Sequence, residues 1–179
     1  ISQKAIIAHK KATLPRSYWD WGEQIEANSL GAFPYTPATN LLYGLKEAIA
    51  MLKEEGLDNV FSRHKRHAEA TRLAVQTWGL EVLCEEKEDF SNTLTAVLLP
   101  DGYNADEFRS VVLDNFNMSL GNGLSRLAGR VFRIGHLGDF NDLMLVATLG
   151  GIEMGLSKSS IPHHVGGTQA AMQFLKQSI

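Results

Sequence analysis

The sequence has few of the features that mark several classes of protein. Of its 179 residues only one is a cysteine, Cys84, so an internal disulfide is excluded and a reducing compartment is indicated. No apolar run approaches the roughly 20 residues that a helix needs to cross a bilayer. The formal net charge of −3 argues against nucleic acid or an anionic membrane surface as the main partner. We therefore expect a cytoplasmic protein without nucleic-acid or membrane partners.

The overall composition is typical of an ordinary globular protein. Hydrophobic residues make up 44% of the chain and charged residues 21%. A chain of 179 residues can form one domain with a sizeable core, with or without an appendage. It begins at Ile1, without an initiator methionine or the pattern of a signal peptide. We therefore expect it to be a segment of a longer protein.

Residues 1–37 are predicted to act as a linker. The part from residue 15 to 37 contains three of the five prolines and the aromatic cluster Tyr18-Trp19-Asp20-Trp21, which indicates turns and irregular chain. A long connecting helix is predicted over residues 38–56. Leucine and isoleucine residues at helical spacing predict this helix, and a glycine at position 56 predicts its end.

Residues 57–179 predict a small domain of the α+β class. Predicted helices cover residues 57–78, 105–116, 140–156 and 169–176, and predicted strands cover residues 80–84, 94–99, 118–120 and 131–134. Short strands separated by helices favour a small, mostly antiparallel sheet that is covered by helices on one face.

Five polar residues of this range receive a structural interpretation. Asp139 is predicted to be the N-cap of the helix that follows it. His64 and His67 are expected on a solvated helix face, and no third ligand accompanies them, so no metal site is predicted. Cys84 has no basic neighbour and is predicted to be a core residue. His136 is predicted to be a satisfied structural histidine.

Arg133 lies within an apolar run that reads as a buried strand. Side chains alternate along a strand, so Phe132 and Ile134 share the core face and Arg133 points to the other face. A planar guanidinium suits bidentate capture of a carboxylate. That carboxylate could belong to an aspartate or glutamate of the same domain or to a ligand, and the residues alone leave both alternatives open.

Three long motifs resemble those of a known family. The segment LGNGLSRLAGR is followed directly by VFRIGHLGD, and upstream lie LPRSYWDW and GAFPYTPATNLLYGLKEAIAMLKEEGLDNVFSRH. In order and spacing they resemble class V aminotransferases, which use pyridoxal phosphate (PLP), and the similarity is greatest to the serine–glyoxylate type. The resemblance covers essentially the whole chain, which it identifies as a C-terminal segment.

The resemblance implies an activity and an assembly. Such an enzyme is a homodimer with PLP as cofactor, and it moves an amino group from serine or alanine to glyoxylate, giving glycine. Its small-molecule partners are therefore amino acids and 2-oxo acids. Residues 1–37 would include the end of the large PLP-binding domain, and residues 57–179 would be the small C-terminal domain.

The resemblance also implies a role for Arg133 and for the glycines before it. In the family, the arginine at this position binds the α-carboxylate of the substrate. Gly121, Gly123 and Gly129 would let the backbone pass close to the site.

A second implied position is Thr36, whose hydroxyl would reach the PLP phosphate bound by the partner subunit. Relatives of the alanine–glyoxylate type have a tyrosine where Phe33 stands, and its hydroxyl also touches the phosphate. Phe33 has no hydroxyl, which leaves Tyr35 as the alternative contact. Without the resemblance, Thr36-Pro37 reads simply as the start of a helix.

Lys4 is a candidate for the lysine that holds PLP as a Schiff base, but a poor one. Ser2-Gln3-Lys4 matches the letters of the family's Gly-Ser-x-Lys motif. The residues that follow, AIIAHKKATLPRSYWDW, instead match the family segment downstream of the catalytic lysine. We therefore expect that lysine upstream of this chain, no catalytic residue within it, and no activity or PLP binding by this chain alone.

The residues leave one alternative from another class of protein, a stand-alone α+β interaction or regulatory module without catalysis. Within the enzyme class, they also leave the amino donor open between serine, alanine and ureidoglycine.

Overall fold

The first 54 residues consist mainly of three helices. The structure, a computed structural model, describes residues 1–177 and divides into two units, of which the second begins at Glu55. The helices of the first unit are α1 (Gln3–Lys11), α2 (Trp21–Ser29) and α3 (Thr39–Glu55), and α3 runs one residue into the second unit. A short 3₁₀ turn lies at Ser17–Trp19. None of residues 1–54, all of which are described, is buried.

Helix α2 corrects the prediction that residues 15–37 are irregular throughout. Asp20 caps this helix, because its carboxylate accepts hydrogen bonds from the backbone N–H groups of Gly22 (2.7 Å) and Glu23 (3.3 Å). An aspartate that satisfies these free donors starts a helix even beside a proline-rich stretch. Helix α3 forms close to the predicted residues 38–56, and its role as a connector remains a prediction.

The second unit is built on a four-stranded antiparallel sheet. Its strands are β1 (Glu81–Val82), β2 (Leu94–Leu98), β3 (Gly121–Asn122) and β4 (Val131–Gly135), in the order β1-β2-β4-β3. Its helices are α4 (Leu57–Thr77), α5 (Ala105–Phe116), α6 (Asp142–Lys158) and α7 (Gly167–Gln177). The predicted α+β class with a small antiparallel sheet is confirmed.

The core lies on one face of this sheet. Val97 of β2 is paired with Phe132 of β4, and both side chains are fully buried. The ring of Phe132 packs against that of Phe108 in α5, with 4.9 Å between the ring centroids. On the other face of β2, Leu94 and Ala96 remain partly or fully exposed. Packing of one face of the sheet against the helices therefore fixes the position of β4, and the side chains on the opposite face are more exposed.

The predicted strand at residues 118–120 is displaced to Gly121–Asn122. Leu120 is buried in the core and Met118 packs against it, so apolar side chains here precede the paired residues. Pairing is set instead by the register with β4, in which Gly121 lies opposite Arg133 and Asn122 opposite Phe132.

The prediction that His64 and His67 lie on a solvated face is wrong. Both side chains are buried, and residues that follow β4 in the chain supply hydrogen-bond partners for them. His64 Nε2 accepts the backbone N–H of Gly138 (3.2 Å), so its Nδ1–H donates to the Val60 carbonyl (2.7 Å). His67 Nε2 lies 2.8 Å from Asp142 Oδ1. Burial nevertheless lowers the pKa of His67, which favours the neutral ring.

Two further predictions for single residues are wrong. The N-cap of α6 is Asn141, whose Oδ1 accepts the N–H of Met144 (3.0 Å), whereas Asp139 is exposed two residues earlier. Cys84 is only partly buried and is not in the core, with its Sγ 3.5 Å from the Glu86 carbonyl oxygen.

The connection from β3 to β4 depends on Gly123. This residue is buried, and a Cβ built on it would overlap the carbonyl group of Leu127, 2.6 Å from its carbon. Leu127 closes a short 3₁₀ turn at Ser125–Leu127, so the obstructing atoms are backbone and cannot move aside like a side chain. Only glycine fits this close approach.

Helix α7 is capped from a neighbouring helix. The Glu153 carboxylate of α6 accepts the backbone N–H groups of Gly166 (2.5 Å) and Thr168 (2.9 Å). Burial alone would raise the pKa of Glu153, but the hydrogen bonds from these N–H groups outweigh it and lower the pKa to about 2. The negative charge also lies at the positive end of α7.

We expect Glu153→Gln to destabilise the protein at pH 7 by about 1 kcal/mol, because the charged cap of α7 is lost. The folded pKa of Glu153, about 2, lies below its ordinary value of 4.5. The stabilisation is therefore present above about pH 4.5 and is lost as the pH falls towards 2. Urea unfolding at pH 7 and pH 3 should show the difference from wild type shrinking at the lower pH. A difference of equal size at pH 7 and pH 3 would contradict this role. The control is Glu69→Gln, which removes a solvent-exposed ion pair with Lys65.

We expect Gly123→Ala to destabilise the protein by roughly 2 kcal/mol, because the added methyl overpacks against backbone. Urea denaturation followed by circular dichroism measures the change. The matched control is Gly150→Ala in α6, where the nearest atom to an added Cβ is 4.0 Å away. That variant should be as stable as wild type or slightly more stable. Equal stability of the Gly123 variant and wild type would contradict the prediction.

Candidate functional site

Arg133 lies at the middle of β4, on the face opposite the core. It is paired with Ala96 of β2 on one side and with Gly121 of β3 on the other. Its Nε–H donates to the Asn122 carbonyl oxygen at 2.8 Å, and its side chain is only partly buried. The predicted alternation of β4 is therefore observed. The guanidinium is anchored at Nε, at the edge of the sheet.

Arg133 forms no ion pair with any residue in the range 1–177. Three other arginines of the same unit, Arg63, Arg66 and Arg109, each contact a carboxylate. The remaining three, Arg72, Arg126 and Arg130, likewise form no ion pair within residues 1–177. The internal aspartate or glutamate that sequence reasoning left open is thus absent from the described part of the chain. The two terminal Nη groups of Arg133 can bind an external carboxylate.

Gly121 makes room for this arginine. A Cβ built on Gly121 would lie 3.0 Å from the Cβ of Arg133 and 3.1 Å from its Nε. The Arg133 side chain therefore runs across the position that a side chain at residue 121 would occupy. Gly129, which the resemblance also singled out, has φ +71°, a left-handed conformation that favours glycine.

His136 fixes the end of β4. It is fully buried, its Nδ1 lies 3.2 Å from the Asn92 carbonyl oxygen and its Nε2 lies 3.0 Å from Thr95 Oγ1. Burial lowers the pKa of His136 to about 4, so the ring is neutral at pH 7. Because a carbonyl only accepts, Nδ1 carries the hydrogen and Nε2 accepts from the Thr95 hydroxyl. His136 is a satisfied structural residue, as predicted.

Arg63 ties helix α4 to the chain that follows β4, a contact that sequence reasoning missed. Its Nη1 donates to the carbonyl oxygens of Gly138 (2.9 Å) and Phe140 (3.1 Å). Its Nε and Nη2 each donate to a Glu55 carboxylate oxygen at 2.7 Å. These hydrogen bonds lower the pKa of Glu55. The sequence contains one signal for this contact, the run Arg63-His64-Lys65-Arg66-His67, in which buried and exposed positions alternate with helical spacing.

The other predicted site residues lie in the first unit. Phe33, Tyr35 and Thr36 are exposed just before α3. The Tyr35 hydroxyl lies 2.7 Å from Ser17 Oγ, so it is already hydrogen-bonded. Thr36 has no hydrogen bond from its hydroxyl to residues 1–177. Lys4 is exposed in the first turn of α1.

The structure therefore gives two separate groups, one in each unit. Arg133 belongs to the second unit, and Phe33, Tyr35, Thr36 and Lys4 belong to the first. Within the described range 1–177, no three histidine, cysteine, aspartate or glutamate side chains are grouped so as to hold a metal ion. In the same range, no helix has the length and apolar character required to cross a membrane.

Several known proteins with a similar sequence or fold are named aminotransferases. A serine–glyoxylate aminotransferase of Methylorubrum extorquens is 44% identical over 184 residues, which span 99% of this chain and 46% of that protein. One of Arabidopsis thaliana is 42% identical over 180 residues, or 99% and 45% of the two chains. The crystal structure of ureidoglycine–glyoxylate aminotransferase from Bacillus subtilis superimposes with a TM-score of 0.84 and 26% identity, covering 97% of this chain and 45% of that one. No protein-family model matches the chain.

The chain thus spans about half the length of the relatives that it matches. Sequence similarity extends over nearly all of its residues, and the fold agrees with a structure from the same group. Over nearly its whole length, the chain is therefore similar to a C-terminal part of proteins named serine–glyoxylate aminotransferase.

Proposed function

We propose that this chain is the C-terminal part of a homodimeric, PLP-dependent aminotransferase that transfers an amino group from serine to glyoxylate, giving glycine. Relatives at 44% and 42% identity bear the name serine–glyoxylate aminotransferase, which supports serine as the donor. The structural relative named for ureidoglycine is 26% identical. Alanine and ureidoglycine are the donors against which serine should be compared.

The observation that carries this proposal is the state of Arg133. Its Nε is held by the Asn122 carbonyl, and residues 1–177 supply no carboxylate to the rest of the guanidinium. Amino-acid donors and 2-oxo-acid acceptors share one group, the α-carboxylate, and a guanidinium fork binds it with two parallel hydrogen bonds. One arginine can therefore orient both substrates of a transamination.

Thr36 fits one contact to the cofactor. When bound, PLP supplies the electron sink for transamination. The exposed Thr36 hydroxyl can donate to its phosphate, and the start of α3 three residues later favours an anion nearby. Phe33 offers no donor, and the Tyr35 hydroxyl is shared with Ser17. These residues fit a phosphate contact and not a complete cofactor seat.

We place the catalytic lysine upstream of this chain. Lys4 is solvent-exposed on a helix whose residues have no buried side chains. A lysine that forms a Schiff base needs a desolvated or electropositive setting that lowers its pKa. On this proposal, the chain alone is inactive. The alternative of a non-catalytic interaction module predicts no role for Arg133 in catalysis by any longer protein.

We expect Arg133→Lys in the full-length enzyme to raise KM for serine and for glyoxylate about tenfold or more, because a point charge replaces a planar fork. Steady-state kinetics with each substrate measures this. Arg130→Lys is the matched control, since Arg130 is exposed and lies three residues earlier in the chain, and its KM values should equal those of wild type. Unchanged KM values for Arg133→Lys would mean that this arginine is structural.

We expect Lys4 to show no specific reaction with PLP. The 179-residue chain would be mixed with PLP, reduced with borohydride, digested and analysed by mass spectrometry. Lys10 and Lys11 are exposed in the last turn of the same helix and report the background labelling of free lysines. Label on Lys4 should not exceed theirs. Selective labelling of Lys4 would contradict its exclusion and place the catalytic lysine in this chain.

A further inference from the structure

We propose that Gly121 is a positioning residue for Arg133, and that the substrate carboxylate is bound end-on by the Nη1 and Nη2 groups of this arginine. The inference rests on the proposed function, in which Arg133 binds the α-carboxylate. It adds Gly121 to carboxylate binding as a second residue, and it specifies which donors of Arg133 the ligand contacts.

The pairing of β3 with β4 holds the guanidinium of Arg133. Gly121 lies directly opposite Arg133 in the β3–β4 register, and the next residue of β3 supplies the carbonyl that accepts the Nε–H at 2.8 Å. This single hydrogen bond orients the plane of the guanidinium. Because Nε is already bonded, a carboxylate cannot use the side-on pair of donors that includes Nε. The end-on pair of Nη groups remains for it.

The Arg133 side chain fills the space beside Gly121. A Cβ at this position would lie 3.0 Å from the Cβ, 3.1 Å from the Nε and 3.5 Å from the Cζ of Arg133. The two shorter distances are tighter than normal contacts between such atoms. The methyl of an alanine would therefore push the Arg133 side chain outward and draw Nε away from the Asn122 carbonyl.

The contacts of Gly121 differ from those of Gly123, whose role is structural. All three atoms nearest to a Cβ at Gly121 belong to the Arg133 side chain, whereas those at Gly123 belong to backbone. The φ of Gly121 also lies outside the left-handed region, so its backbone does not require glycine. Alanine at 121 therefore needs no change to a left-handed backbone conformation. Its close contacts are relieved by movement of the Arg133 side chain and, because the Cβ of Arg133 is fixed to its backbone, by a small shift of β3 relative to β4.

Holding the guanidinium in advance favours binding. A free arginine side chain has many rotamers, and fixing one of them on binding costs entropy. The bond to the Asn122 carbonyl orders the side chain before the substrate arrives. Loss of that order should weaken binding of every α-carboxylate alike, with little effect on steps that follow binding.

The test is steady-state kinetics of Gly121→Ala in the full-length enzyme, together with inhibition by propionate, a monocarboxylate without an amino group. We expect KM for serine and glyoxylate and the inhibition constant of propionate to rise together, by about three- to tenfold, with a smaller change in kcat. Gly150→Ala should leave all of them unchanged. Circular dichroism spectra of both variants should match wild type.

A double-mutant cycle with Arg133→Lys separates positioning from direct obstruction of the substrate. If Gly121 acts through Arg133, adding Gly121→Ala to Arg133→Lys should change KM by less than about twofold. An equal increase in both backgrounds, or no increase in wild type, would overturn the positioning role. An ineffective Arg133→Lys would instead overturn the proposed function itself, so the two failures are distinguishable.

Discussion

The pairing of β4 with β2 on one side and β3 on the other is the constraint on which the second unit depends. This register buries Phe132 and Ile134 against the helices and leaves Arg133 on the opposite face. A shift of one residue would exchange the two faces and place a cation in the core. Apolar packing and the orientation of the candidate binding residue are therefore determined by the same strand.

Local patterns predicted this strand well, and contacts distant in sequence account for most of the errors. The alternation around Arg133 depends only on neighbouring residues, so it could be read directly. His64 and His67 looked solvated because their partners lie more than 70 residues away, on the chain after β4. The lack of an ion pair at Arg133 could not be predicted either. From the sequence, any acidic residue of the domain was an equally good partner, and only the fold excluded them.

Arginine serves two purposes within this unit. Arg63 makes four hydrogen bonds, two to a carboxylate and two to carbonyl oxygens, and so holds helix α4 against the chain that follows β4. Arg133 donates its Nε–H to a carbonyl oxygen, and its two Nη groups make no hydrogen bond to residues 1–177. The arrangement of Arg63 stabilises the fold. The arrangement of Arg133 leaves its positive charge without a carboxylate partner, which is expected where the side chain has to bind a ligand. Similarity to serine–glyoxylate aminotransferases gives that ligand a chemical identity under the proposed function.

Strand β3 is only two residues long and lies at an edge of the sheet. Short edge elements open locally at lower free energy than the core to which they are attached. The carbonyl that holds Arg133 thus belongs to a segment prone to fraying, while Arg133 itself lies on an inner strand. Under the proposed function, carboxylate affinity would then follow the closed fraction of β3, and warming would weaken substrate binding well below the temperature at which the domain melts.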